Sequence, residues 1–64
     1  MTKDDYLIAA REMERYGGSF AGHIARAYFA ADSSNQRLLL GAFGDLFERY
    51  YRNFVLPTQH ALED

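Results

Sequence analysis

The stretch ERYGGSFAGH, residues 14–23, decides how this chain folds, because it places two adjacent glycines between two segments with helical spacing. Glycine readily adopts the left-handed backbone conformation that ends many helices, so Gly17 and Gly18 predict the end of a first helix. The hydroxyl of Ser19 is placed to cap the helix that follows. The stretch therefore predicts a turn between two helices.

The same stretch has the spacing G-x-x-x-x-G from Gly17 to Gly22, which is the first part of a phosphate-binding loop. Such a loop requires Lys and then Ser or Thr after the second glycine, to reach the phosphates and the metal. His23 and Ile24 occupy those positions, and a predicted helix precedes the loop where a strand is needed. We therefore interpret the stretch as a helix boundary and not as a nucleotide site.

Rows of apolar residues at helical spacing lie on both sides of the glycines. The first segment opens with a capping box, Thr2-x-x-Asp5. Its predicted buried row is Tyr6, Ala9, Ala10, Met13 and Tyr16. The second helix is expected to end around Asp32, and its predicted buried row is Phe20, Ile24, Ala27, Tyr28 and Ala31.

A second capping box, Ser33-x-x-Gln36, predicts the start of a third helix. Gly41 and Gly44 fall on its polar side, where we expect them to bend or break the helix near Phe43. Pro57 predicts the end of the helical region. The apolar stripe of this helix is broad and comprises Leu39, Leu40, Phe43, Leu46, Phe47, Tyr50, Tyr51 and Phe54.

These signals predict an all-α protein, a compact bundle of three helices, or four if the third breaks at Gly44, joined by short capped turns. We expect a single helical domain over residues 1–57 and a C-terminal tail over 58–64. The chain has 64 residues and no cysteine, so neither a disulfide nor a thiolate metal site can stabilise it. Five Tyr and five Phe make aromatic packing the expected source of stability.

The charge balance is ordinary, with seven Lys and Arg against nine Asp and Glu and a formal net charge of −2. The basic residues are scattered, which argues against a nucleic-acid partner. The longest apolar stretch is far shorter than the roughly 20 residues of a membrane span. The N-terminus lacks the apolar segment of a signal peptide. We therefore expect a cytoplasmic protein with no membrane partner.

No group of residues predicts a reaction, so we expect a protein that is not an enzyme and has no cofactor or metal site. His23 has no His, Asp or Glu at the spacing of a helical metal pair, and His60 lies in the predicted tail. Three short helices also offer little concavity for a catalytic pocket.

The start of the third helix supports an alternative function. Ser34, Asn35, Gln36 and Arg37 are polar residues at the place where a helix-turn-helix protein presents its recognition helix to DNA. The preceding segment, however, lacks the small residue and the glycine that are usual in that motif. Helix capping explains the same residues without DNA, so a small DNA-binding regulator stays an alternative hypothesis.

Three apolar residues, Ile8, Phe29 and Leu38, are out of phase with the predicted buried rows. A helix that packs on two sides would bury them, and isolated exposed apolar residues are common. Alternatively, together with Arg26, they form an exposed patch that binds a protein partner. On that hypothesis we also expect a homo-oligomer, and a dimer first of all.

The chain resembles a family of small proteins encoded in tailed phages and prophages, with the pattern M-E-x-Y-G-G-S-F, then A-D-x-x-N, then A-F-x-x-x-F-x-x-Y. The matching residues are Met13 to Phe20, Ala31 and Asp32 with Asn35, and Ala42 and Phe43 with Phe47 and Tyr50. Members of the family often have proline at the position of Gly44, in agreement with a break there.

The resemblance implies a phage or prophage origin and an accessory role in the cytoplasm of a bacterial host. Such proteins bind a host or phage protein, and inhibitors of host defence are one class of them. The resemblance carries no catalytic residues. We therefore expect a non-catalytic accessory protein that acts by protein–protein interaction. A structural, homo-oligomeric phage component is a further alternative.

Overall fold

The first helix, α1, spans Lys3–Tyr16 and begins at the predicted capping box. The backbone N–H of Thr2 donates to Asp5 Oδ2 at 2.9 Å, and the backbone N–H of Asp5 donates to Thr2 Oγ1 at 3.2 Å. The hydrogen bond from the Thr2 backbone lowers the pKa of the Asp5 carboxyl. The computed structural model describes residues 1–55, so Pro57, the 57/58 domain boundary and the predicted tail lie outside the described residues.

A single residue, Gly17, separates α1 from the second helix, α2, which spans Gly18–Ala30. A Cβ atom on Gly17 would overlap the carbonyl oxygen of Met13 and lie 2.5 Å from the Cβ of Ala21. Gly18 has φ +66°, a conformation that glycine adopts without strain. The predicted turn is confirmed, but the cap from Ser19 is wrong. Gly17 is the N-cap, without a side-chain hydrogen bond, and Ser19 lies inside α2.

The predicted buried row of α2 is wrong by about a quarter of a turn, although Tyr28 is buried as expected. Phe20 and Ala27 are exposed, and Ile24 is only partly buried. The reason is the turn at Gly17, which places Ala21 directly against the end of α1. The side of α2 that faces the core therefore begins with Ala21 and continues one and two turns later, and its buried residues are Ala21, Gly22, Ala25 and Tyr28.

The second turn consists of Ala31 and Asp32 and lies slightly earlier in the chain than predicted. Helix α2 ends at Ala30, and the third helix, α3, spans Ser33–Tyr50. The predicted capping box from Ser33 to Gln36 is wrong, because Asp32 is the N-cap and its Oδ1 accepts from the backbone N–H of Asn35 at 2.9 Å. The side chain of Gln36 instead donates from Nε2 to the carbonyl oxygen of Tyr28 at 3.2 Å. This hydrogen bond ties α3 to α2.

The predicted bend in the third helix is confirmed. Phe43 has φ −125° and ψ 18°, outside the helical range, so α3 kinks there without ending. A Cβ atom on Gly41 or Gly44 would meet nothing within 4 Å, which agrees with their prediction on the polar side. Helix α3 continues into a π-helical turn over Tyr51–Val55.

The core consists mainly of small residues around a few large ones. Phe47 is fully buried, with its ring centre 5.1 Å from that of Tyr28 and 6.1 Å from that of Tyr6. Tyr16, predicted in the buried row of α1, is 56% exposed. The buried cluster shared by the three helices is Ala9, Ala10, Met13, Ala21, Ala25, Tyr28 and Phe47.

Over residues 1–55 the protein is therefore an all-α bundle of three helices, as predicted. None of these helices combines the length and the apolar character that crossing a membrane requires.

Substitution of Gly17, which is closely packed, and of Gly41, which is not, should change the stability in opposite directions. Gly17→Ala should lower the free energy of unfolding by about 1–3 kcal/mol, because the new methyl group overlaps Met13 and Ala21. Gly41→Ala should raise it by about 0.5–1 kcal/mol, because alanine favours the helix and its Cβ projects into open space. Urea denaturation followed by circular dichroism measures both. Equal effects of the two substitutions would contradict the close approach at Gly17.

Candidate functional site

Large apolar side chains lie on the outside of the bundle, on one side of α2 and of the first half of α3. Phe20 is 60% exposed and Leu38 is 70% exposed. The ring of Phe20 meets that of Phe43 edge-on, with ring centres 5.8 Å apart. Phe43 lies one helical turn after Leu39, so these contacts link the outer side of α2 to α3.

An open depression of about 520 Å³ lies along this side of the molecule, between α2 and α3. Three alanines line it on the side of α2, and Leu38 and Leu39 line it on the side of α3. Asn35 is its polar member, and no Asp, Glu, Lys or Arg lines it within the described residues. We call this surface the α2/α3 face and define it by Phe20, Ala27, Ala30, Ala31, Leu38, Leu39 and Phe43.

The four residues predicted to form a partner-binding patch lie on three different helices and in different environments. Leu38 belongs to the α2/α3 face. Phe29 is 41% exposed but lies about 160° around α2 from Ala27, with its ring 6.4 Å from that of Tyr28. Ile8 is partly buried on α1. Arg26 is exposed, and its Nη2 lies 2.8 Å from His23 Nδ1.

The exposure of Phe20 contradicts its helical spacing with Ile24 and Ala27, which predicts burial. The available signal was the run of small residues Ala21, Gly22 and Ala25, which occupies a second side of the same helix. Small residues let two helix backbones approach closely, so that side was an equally good candidate for the contact with α1. Residue size alone does not decide between the two sides.

The four residues of the DNA-binding alternative have different environments at the start of α3. Ser34, Asn35 and Arg37 are exposed, whereas Gln36 is partly buried and its amide is engaged with the Tyr28 carbonyl. The carboxylate of Asp32 caps this helix end by accepting from the backbone N–H of Asn35. The geometry thus gives Gln36 a structural role.

A second group of exposed rings joins the end of α1 to the π-helical turn. The Tyr16 and Phe54 rings stack with centres 5.1 Å apart, and Phe54 also stacks on Tyr50 at 5.4 Å. The guanidinium carbon of Arg15 lies 5.8 Å from the centre of the Tyr16 ring. These rings pack against one another, so the contact between α1 and the π-helical turn explains why they lie near the surface.

Comparison of the chain with protein-family models, curated proteins and solved structures finds no match. Over residues 1–55, no three His, Asp or Glu side chains lie close enough together to hold a metal ion. The α2/α3 face therefore has to be interpreted from its own geometry.

The structural role of Gln36 can be tested separately from any role in binding. Gln36→Ala should lower the free energy of unfolding by about 0.5–1.5 kcal/mol, because the partly buried hydrogen bond to Tyr28 is lost. Ser34→Ala, two residues earlier and exposed, is the control and should change the free energy of unfolding by less than about 0.5 kcal/mol. Urea denaturation measures both. An unchanged stability for Gln36→Ala would mean that its amide does not hold α3 against α2.

Proposed function

We propose that this protein is a non-catalytic accessory protein that acts by binding another protein through the α2/α3 face. The observation that carries the proposal is an uncharged depression lined by three alanines and by the exposed Leu38, with the exposed Phe20 about two turns before Ala27 on α2. Exposed apolar patches are typical of interaction sites when they are large. The resemblance to small phage proteins supports an accessory role toward a host or phage protein.

The shape of the face favours a helix as the bound element. The alanines at 27, 30 and 31 would let a partner backbone approach closely. Leu38 beside them and Phe20 near the start of α2 provide large apolar anchors. Grooves between two helices commonly accept the apolar side of an amphipathic helix in this way. We expect the partner helix to present apolar residues at i, i+3 or i+4, and i+7.

A second copy of the chain offers such a helix when no other partner is present. A 64-residue chain without disulfides has a small core, and association is a common way to bury additional apolar surface. Two copies that cover each other's α2/α3 faces about a two-fold axis would make a closed dimer. We therefore expect a homodimer that exchanges its second copy for the partner protein.

The face can be tested by placing a charge on it. Phe20→Asp combined with Leu38→Asp should convert the dimer into a monomer, since a carboxylate would be buried in an apolar interface. Helical content should be retained, because both side chains are exposed. Light scattering coupled to size exclusion gives the mass, and far-ultraviolet circular dichroism gives the helical content.

Phe29→Asp is the matched control, since Phe29 is an exposed ring on the other flank of α2. This variant should remain a dimer. If Phe29→Asp dissociates the dimer and the double variant does not, the interface lies on the Phe29 side of α2. Our assignment of the α2/α3 face would then be wrong. Ordered assemblies larger than a dimer would favour a structural phage component, and a monomer for the unmodified chain would exclude self-association.

A further inference from the structure

A separate cavity of about 330 Å³ lies where the first turns of α1 and α3 meet. Lys3 is the first residue of α1 and Ser33 is the first residue of α3, and both line the cavity. Helix N-termini carry partial positive charge, and two of them lie beside this one cavity. This volume is at the lower end of the range for small-molecule sites, about 300–1,000 Å³.

Two side-chain cations add to the charge of the helix ends. Lys3 and Arg37 line the cavity and are exposed, and within residues 1–55 neither forms an ion pair. Cations near helix N-termini are electrostatically unfavourable, so an anion in the cavity would offset the charges of Lys3 and Arg37. The nearby carboxylates of Asp5 and Asp32 are directed to the backbone N–H groups of their own helices and do not line the cavity.

The third observation concerns Tyr28, which lines the same cavity although only 1% of its surface is exposed. Its hydroxyl forms no hydrogen bond with any described residue, whereas a buried tyrosine hydroxyl usually has a partner. No fully enclosed side-chain oxygen or nitrogen of the described residues lacks a partner. The Tyr28 hydroxyl therefore keeps a small accessible surface. Since Tyr28 lines this cavity, we infer that the hydroxyl can donate a hydrogen bond into it.

Part of the remaining wall is aromatic and apolar, and Gln36 is its polar member. Tyr6 and Leu40 line the cavity beside Tyr28, so an uncharged, flat group can lie against them. Burial raises the pKa of the Tyr28 hydroxyl, which keeps it protonated as a donor. The site combines positive charge and a hydrogen-bond donor with an aromatic wall.

We propose that this cavity binds a small aromatic anion, with its carboxylate or phosphate group at Lys3 and Arg37, a hydrogen bond from Tyr28, and its ring against Tyr6 and Leu40. The carboxylate and the phosphate share the required chemistry, a compact oxyanion on a flat apolar body. Arginine binds either group with two parallel hydrogen bonds. The proposal is independent of the α2/α3 face, since the two sites share no residue.

The test is a titration of the isotope-labelled protein followed by ¹H–¹⁵N NMR, with phenyl phosphate and benzoate as probes. At least one should give saturable shifts of the amide signals of Lys3 and of Ser33 to Arg37. Inorganic phosphate and phenol each supply one half of the ligand, and we expect both to bind at least about tenfold more weakly. Tighter binding of phenyl phosphate would assign the anion as a phosphate, and tighter binding of benzoate would assign it as a carboxylate.

Variants distinguish specific binding in the cavity from a general attraction of the anion to positively charged side chains. Lys3→Gln and Arg37→Gln should each weaken binding at least about fivefold, and Tyr28→Phe should weaken it about threefold or more. Arg11→Gln is the control, since it removes one exposed cation that does not line the cavity, and it should leave the affinity unchanged. Circular dichroism verifies that each variant is folded.

Three outcomes would overturn the proposal. They are the absence of saturable shifts with both aromatic probes, equal affinity for inorganic phosphate or phenol, and an effect of Arg11→Gln as large as that of Arg37→Gln. Because Lys3 and Arg37 are exposed, their variants keep the test decisive even if Tyr28→Phe does not fold.

Discussion

The contact between Gly17, the carbonyl oxygen of Met13 and the methyl group of Ala21 determines how the rest of the molecule is arranged. A one-residue connection leaves α2 little freedom to rotate about its own axis. Since Ala21 has to lie under the end of α1, the residues one and two turns later must face α1 as well. The core side of α2 is therefore chosen by the geometry of a turn and not by the size of its apolar residues.

This choice explains why so much apolar surface remains outside. Alanines fill the contact between α1 and α2, and the large buried side chains are Tyr28, Phe47 and Met13. Phe20 is rotated outward and joins Leu38 on the α2/α3 face. The same constraint that makes the helix pair close-packed thus creates the surface through which we propose that the protein binds its partner.

The two candidate sites differ in how far they could be predicted. Leu38 was recognised as out of phase with its helix, because its exposure follows from the periodicity of α3 alone. Phe20 was not, because its exposure depends on how α2 is rotated against α1. The cavity between α1 and α3 is harder to predict than either of these side chains. Lys3 and Arg37 are far apart in the chain and come together only because α2 folds back between them. No local pattern relates such residues.

The sequence by itself determined the helical class, the turn at the glycine pair, the cap of α1 by Thr2 and Asp5, and the bend near Phe43. These features depend on residues within a few positions of one another, so backbone conformation and local hydrogen bonds are sufficient to specify them. Only the tertiary structure decided which side of α2 is buried, that Asp32 caps α3 while Gln36 reaches Tyr28, and which charges share a cavity. Each of these follows from contacts between helices, where steric fit at Gly17 outweighs the tendency of large apolar side chains to be buried.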